Sequence, residues 1–199
     1  MLATVFSFPT STQALAPLAV GFFGLGTGYI IYGPQELLGY PAKSKPVDLS
    51  TGIWGIWMPG FMQFLTGMYL FAALSIFGSL TAKPLYMAAL AFTAYGVHWF
   101  AIGLNRSFGG HPGPNAFMAI AFTIISVLGL FVFFHVGDAP VGWLFVGLSL
   151  IYISDFFASL GSKSGLRALG FFHLLTGAWL MYLTWATVLN FAAGYNLPL

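Results

Sequence analysis

Six long apolar stretches constrain this chain more than any other feature of its sequence. Each approaches or exceeds 20 residues, each is almost free of charge, and linkers that are mostly rich in Pro and Gly separate them. The hydrocarbon core of a bilayer is about 30 Å thick, so a helix needs about 20 apolar residues to cross it. The pattern therefore predicts six transmembrane helices, over residues 15–32, 52–80, 85–104, 115–136, 141–160 and 166–193.

The scarcity of charge supports the same fold class. Charged residues make up 5% of the 199 residues and hydrophobic residues 59%, whereas a soluble domain carries roughly 25% charged residues. A membrane β-barrel would show segments of about ten residues with alternating polarity, and these runs are continuously apolar. We therefore expect an all-α, multi-pass integral membrane protein in the cell membrane, the inner one where there are two. The scattered basic residues and the net charge of +2 do not suggest a nucleic-acid partner.

The chain divides into a short N-terminal segment, residues 1–13, and a single six-helix domain, residues 14–199. Residues 1–13 lack Lys, Arg and an apolar run, so they do not resemble a signal peptide. Residues 61–70 and 95–101 resemble residues 171–180 and 152–158, at offsets of 110 and 57 positions. The offsets predict three pseudo-repeated hairpins around a central pore, as in some transporters. Chance similarity between apolar helices is the alternative.

Ionisable side chains inside membrane helices are costly and usually face protein or water. Asp155 lies within the fifth predicted helix and shares a polar face with Ser149, Tyr152 and Ser159. It is a candidate for taking up a proton during transport, and a buried structural acid is the alternative. His98, in the third helix, is either a proton relay or a neutral ring with one structural hydrogen bond.

Two further polar residues lie within the predicted helices, and several ligand-binding motifs are absent from the sequence. For Gln63 and His173 we expect hydrogen bonds between helices rather than ligand contacts. The chain has no cysteine, no His and carboxylate at metal-ligand spacing on one helix, and no phosphate-loop or dinucleotide motif. We therefore expect neither an enzyme nor a bound metal or cofactor.

Residues 91–99, Ala-Phe-Thr-Ala-Tyr-Gly-Val-His-Trp, carry the most specific motif. They resemble the Phe-Thr-x-Tyr-Gly-x-x-Trp signature of the acetate uptake transporter family, the acetate–succinate channels or symporters of bacteria, archaea and fungi. Similarity extends to residues 16–24, to Gln63 with Gly67, and to Asn115 at the start of the fourth helix. The chain departs from the family at Ala14 and Leu15, which replace Asn-Pro, and in about ten extra residues between Gln63 and Tyr95.

The resemblance implies a homohexamer in which every protomer has its own pore. It also implies a narrow ring of one Phe, one Tyr and one Leu, which by residue match are Phe23, Tyr95 and Leu150. Tyr95 could donate a hydrogen bond to the substrate carboxylate, and further donors are expected from Thr27, Gln63 and Trp99. If Leu150 faces the pore, Asp155, about 140° away on the same helix, faces a neighbouring helix or protomer.

The implied function is a transporter or channel for acetate and related small monocarboxylates, with succinate and proton symport as open possibilities. Two alternatives remain at this point. The chain could be a non-transporting membrane subunit of a larger complex, or a pore for another small solute such as urea or ammonia. Orientation is also open, because five of six basic residues predict that the first, third and fifth linkers are cytoplasmic, whereas the family places its termini there.

Overall fold

Six helices make up most of the residues that the structure, a computed structural model, describes, which are residues 17–199. The predicted segment 1–13, and Ala14 and Leu15 after it, lie outside the described residues. No strand occurs within residues 17–199. The helices are α1 (Leu18–Leu38), α2 (Lys45–Ile76), α3 (Pro84–Phe108), α4 (Gly113–His135), α5 (Ala139–Ser159) and α6 (Lys163–Ala193).

Helices α2 to α6 are each long and apolar enough to cross a membrane. The all-α, multi-pass membrane fold predicted from the sequence is therefore confirmed for five spans. Helix α1 has 21 residues, but its final turns contain Pro34, Gln35 and Glu36, which lower its hydropathy. A sixth crossing by α1 stays a prediction, as does the three-hairpin repeat.

Two helix boundaries differ from the predicted ones. Helix α1 does not end at Tyr32 but continues through Gly33 and Pro34, until Gly39 ends it at φ 73°. A proline removes only one helical hydrogen bond, and here it does not stop the helix. Helix α2 begins at Lys45 rather than at residue 52, because Ser44 caps it by accepting a hydrogen bond from the Val47 amide.

Glycines allow α1 to approach α2 closely. A Cβ atom on Gly24 would lie 2.5 Å from the Met58 carbonyl oxygen, and one on Gly28 would lie 2.6 Å from Pro59 Cγ. Met58 and Pro59 belong to a π-helical stretch of α2, Ile56–Phe61, a local widening that a proline can cause. Such small residues four apart let membrane helices pack tightly, and the contact between α1 and α2 shows this packing.

The six helices form a closed ring. Each helix packs on the next in chain order, and α6 returns to pack along α1. Because the linkers are short, successive helices run in opposite directions. End 1 of the ring therefore carries the start of α1 and linkers 77–83 and 136–138, and end 2 carries linkers 39–44, 109–112 and 160–162. The space inside this ring holds the candidate site.

Gly96 provides a test of the close contact between α2 and α3. A Cβ atom there would lie 2.5 Å from the Phe64 amide nitrogen and 2.8 Å from Phe64 Cα. Because these are backbone atoms, Gly96→Ala is expected to cost about 1–3 kcal/mol of stability. Thermal unfolding in detergent measures the loss. Val97→Ile, which adds one methyl group on the exposed face of the same helix, is the control, and equal midpoints for the two variants would contradict the contact.

Candidate functional site in the helix ring

Two cavities enter the helix ring from opposite ends. The larger, here called the polar vestibule, opens at end 2 and has a volume of about 540 Å³. The smaller, here called the apolar chamber, opens at end 1 and has a volume of about 220 Å³. Cavities between the helices of a bundle are common ligand sites, and two that approach each other from opposite ends suggest an interrupted passage.

The barrier between the cavities is about one helical turn thick. The inner end of the apolar chamber is formed by Leu25, Tyr95 and Leu148. The inner end of the polar vestibule is formed by residues three or four positions further along the same three helices, namely Tyr29, His98, Trp99 and Tyr152. Four residues of a helix rise about 6 Å, so only a thin layer of side chains separates the two spaces.

That layer is a packed aromatic cluster of Tyr95, His98, Phe122 and Tyr152. The ring centroids lie 5.5 Å apart for Tyr95 and Tyr152, 5.6 Å for Tyr95 and Phe122, and 4.8 Å for His98 and Phe122. These separations are typical of favourable aromatic pairs. The cluster therefore closes the passage between the cavities.

Hydrogen bonds fix the two tyrosines of the cluster. The Ser126 hydroxyl donates to the Phe122 carbonyl at 2.7 Å, so the Tyr95 hydroxyl, 2.9 Å from Ser126 Oγ, must donate its own proton to Ser126. The Tyr152 hydroxyl lies 3.2 Å from His98 Nδ1. The Tyr95 proton, expected from the sequence to bind substrate, is therefore already engaged.

Two buried nitrogens at the inner end of the polar vestibule lack partners. Neither Trp99 Nε1 nor His98 Nε2 makes a hydrogen bond within the described part of the chain. If Tyr152 donates to His98 Nδ1, the other ring nitrogen carries the proton, so both nitrogens are donors. An unsatisfied buried donor costs about 1–3 kcal/mol. A ligand oxygen that reached either nitrogen would supply the missing acceptor.

Charged groups line the outer part of the polar vestibule. The Arg106 guanidinium binds Asp48 at 3.1 Å and lies 4.6 Å from the centre of the Tyr32 ring. Lys43 lines the same cavity, so the end that the sequence predicted to be rich in basic residues is the end where this vestibule opens. Lys43 is the cation left to attract an anion, because Arg106 is paired with Asp48, and Glu36 and Asp155 line the cavity as well.

Glu36 and His173 form an ion-pair contact between α1 and α6. The Glu36 carboxylate is hydrogen-bonded to His173 Nδ1, and the exposed fractions of the two side chains are 11% and 7%. The His173 ring also stacks on Tyr29 with centroids 4.5 Å apart. The predicted hydrogen bond between helices is thus confirmed for His173. Its partner escaped sequence reasoning because Glu36 was taken as part of a linker after Pro34.

Four of the predicted site residues line these cavities. Tyr95 lies in the apolar chamber, and His98, Trp99 and Asp155 lie in the polar vestibule. Asp155 accepts a hydrogen bond from the Ser159 hydroxyl at 2.9 Å. The structure therefore brings them to one passage, and their roles in binding and proton coupling stay predictions.

Phe23 and Leu150 are in the wrong place for the predicted ring. Their exposed fractions are 42% and 37%, and neither lines a cavity, whereas Phe22 and Leu148 are buried and line the apolar chamber. Each helical residue turns the side chain by about 100°, so an error of one or two positions moves it to the opposite face. With Leu150 outside, Asp155 faces the vestibule, which reverses the expectation from the sequence.

Thr27 and Gln63 also fall outside both cavities. Thr27 is half-buried, and Gln63 is completely buried in α2. Neither atom of the Gln63 amide has a hydrogen-bond partner among residues 17–199, so the predicted bond to a neighbouring helix is wrong. Within these residues no three His, Cys, Asp or Glu side chains come together as a metal site would require.

Comparison with known proteins gives one informative match. No protein-family model and no curated protein sequence matches the chain. Among solved structures, the bacterial acetate channel SatP matches with a TM-score of 0.69 and 23% identity, over 93% of this chain and 98% of that one. The chain has the fold of SatP. This likeness confirms, at the level of fold, the resemblance seen in residues 91–99.

Proposed function

We propose that this chain is a membrane channel or transporter for acetate and related small monocarboxylates. The observation that carries the proposal is the pair of cavities that meet at a one-turn aromatic barrier, inside a helix ring with the fold of an acetate channel. The barrier excludes hydrated ions because an apolar constriction sheds water. A small solute with one apolar end can pass such a constriction, because that end loses little when it leaves water.

The polar vestibule supplies the carboxylate site in this proposal. Lys43 attracts the anion at the mouth, and the Trp99 and His98 nitrogens without partners receive it at the inner end. Each new hydrogen bond to a charged group contributes about 1.5–3 kcal/mol. The acetate methyl group then faces the aromatic cluster around Tyr95. Thr27 and Gln63, outside both cavities, have no part in this site.

We also infer coupling to protons through titratable groups of the polar vestibule. Asp155 and His98 are candidates from the sequence, and the Glu36–His173 pair joins them from the structure. The pair is surrounded by charged or titratable groups from the linker 39–44 and from α1, α3 and α5: Lys43, Tyr29, Arg106, His98, Asp155 and Tyr152. In a symport cycle one of these groups would carry the proton with the carboxylate.

A homohexamer with one pore in each protomer is part of the proposal. Phe23 and Leu150, misplaced as pore residues, belong to the exposed apolar surface of the helix ring. Such a surface faces lipid or a neighbouring copy. Mass measurement of the detergent-solubilised protein tests the assembly, and unrelated chains that co-purify in fixed ratio would favour the subunit alternative.

Uptake of labelled acetate into proteoliposomes tests the function. Saturable uptake above that of protein-free liposomes, which corrects for passive diffusion of acetic acid, is the expected result. Absence of such uptake, with the protein inserted and folded, would overturn the proposal. If urea or ammonia passed and acetate did not compete, the chain would be a pore for a neutral solute.

Trp99→Phe tests the carboxylate site directly. The change removes one N–H donor and keeps an aromatic ring, so we expect the half-saturating acetate concentration to rise about 10- to 150-fold, the effect of losing one hydrogen bond to a charged group. Concentration-dependent uptake measures it. Trp57→Phe, on the exposed outer face of α2, is the matched control, and equal values for both variants would remove Trp99 from the site.

A further inference from the structure

The apolar chamber differs sharply in chemistry from the polar vestibule. Seventeen residues line it, and only Tyr95 and Asp138 among them have polar side chains. The Tyr95 proton is donated to Ser126, and Asp138 caps α5 by accepting from the Val141 amide at 3.1 Å. The lining of this chamber therefore offers no free side-chain donor to an anion.

The chamber is instead suited to a hydrocarbon group. Its walls come from four helices, α1, α3, α4 and α5, and include Phe22, Leu25, Phe92, Leu144 and Leu148, all of them buried. A carboxylate that entered this space would lose its hydration without gaining a partner, which is very costly for an ionised group. Asp138, at the mouth, adds repulsion between like charges.

Distance links the chamber to the proposed carboxylate site. A carboxylate at Trp99 and His98 lies about one helical turn, some 6 Å, from the inner end of the chamber at Leu25 and Leu148. The tail of butyrate covers more than half of this distance, and each further methylene brings the end of the tail closer to the chamber. Once the aromatic cluster yields, the tail of such an acid reaches the chamber while its carboxylate remains in the polar vestibule.

We propose that the preferred substrates are unbranched monocarboxylic acids with tails longer than a methyl group, of the length of butyrate or longer, and that the apolar chamber rejects dicarboxylates such as succinate. The proposal rests on the carboxylate pore proposed above and narrows its substrate class. The apolar tail is stabilised in the chamber, and a second carboxylate at the far end of the tail finds only hydrocarbon and Asp138 there.

Competition against labelled acetate uptake in proteoliposomes tests this substrate class. Acetate, propionate, butyrate and succinate are compared at one pH and ionic strength. Each added methylene is expected to lower the inhibition constant about fourfold, the value for burial of one CH₂ group, so butyrate inhibits about 16-fold more strongly than acetate. Succinate is expected not to inhibit.

A matched pair of variants tests whether the apolar chamber determines the preference for tail length. Phe22→Ala enlarges the chamber and is expected to move the best inhibitor to a longer acid, whereas Phe23→Ala, on the exposed face next to it, leaves the series unchanged. Saturable acetate uptake with equal inhibition by acetate and butyrate, or with inhibition by succinate, would overturn the substrate class and leave the pore intact. Absence of any carboxylate uptake would overturn both. If Phe22→Ala does not assemble, the inhibition constants measured on the unaltered protein are sufficient to test the substrate class.

Discussion

Tyr95→Ala is expected to raise acetate flux about tenfold, which corresponds to lowering the barrier by about 1.4 kcal/mol. Tyr95 is buried, stacks on Tyr152 and forms the inner end of the apolar chamber. Removal of its ring joins the two cavities, so a layer that sheds water becomes wet. We expect the variant to lose selectivity as well, with larger and doubly charged anions passing. Labelled acetate and succinate fluxes through proteoliposomes measure both effects.

Two comparisons make the Tyr95 result interpretable. Truncation of a buried aromatic residue costs about 3–5 kcal/mol of stability, so assembly must be checked by size-exclusion chromatography. Tyr95→Phe keeps the ring, and Ser126 keeps its bond to the Phe122 carbonyl, so this variant is expected to transport as the unaltered protein does. Normal flux and selectivity in a folded Tyr95→Ala variant would mean that the passage lies elsewhere.

The same flux assay tests which face of α5 lines the passage. Leu148→Ala removes a buried side chain at the barrier, and Leu150→Ala removes an exposed one two residues away. Increased flux is expected for the first variant only. The opposite result would restore the ring residue predicted from the sequence and would place the pore on the other side of the helix.

Hydropathy was sufficient to predict five membrane-spanning helices and their order, because each membrane helix needs a long apolar run whatever its neighbours are. Boundaries were less certain. The first turns of α2 are polar, with Lys45 and Asp48 among them, and only a cap at Ser44 indicates the helix start. Pro34 was taken as the end of α1 because prolines usually interrupt helices, but the chain stays helical to Leu38.

The inner faces of the helices could not be predicted with the same certainty. Helices that are apolar all around carry no stripe that distinguishes the pore side from the lipid side. The motif in α3 led to Tyr95, His98 and Trp99, all of which line one of the two cavities. In α1 and α5 no comparable motif fixed the register, and Phe23 and Leu150 were chosen where Phe22 and Leu148 face inward.

Contacts between distant parts of the chain escaped prediction for a related reason. Glu36 and His173 are 137 positions apart, and nothing in the sequence near either residue points to the other. Their meeting follows from the closure of the ring by α6 on α1. Asp155, which the sequence identified as costly at membrane depth, does face the polar vestibule, where it bonds Ser159 on its own helix.

Replacing the Glu36–His173 pair is expected to abolish the pH dependence of acetate uptake. The proposed symport requires a group in the polar vestibule that gains a proton with the substrate and releases it afterwards. A hydrogen-bonded carboxylate and imidazole can share one proton between them, and this pair bridges the two helices that close the ring. In the unaltered protein we expect uptake to increase as pH falls, because in symport a proton accompanies each carboxylate.

The experiment uses Glu36→Gln, His173→Gln and the double variant that carries both changes. Asp155→Asn is measured for comparison. Removal of one member of a buried pair leaves the other unpaired and costs about 3–5 kcal/mol, so the double variant, which leaves no charge, is the most informative. Initial uptake rates are measured over about pH 5 to 8, and their dependence on pH is expected to disappear in the double variant. Asp155→Asn removes a carboxylate from the same vestibule and is expected to keep the slope. If Asp155→Asn abolished the pH dependence of uptake and the double variant kept it, Asp155 would be the proton-carrying group. Flat profiles in every protein, including the unaltered one, would favour a channel over a symporter.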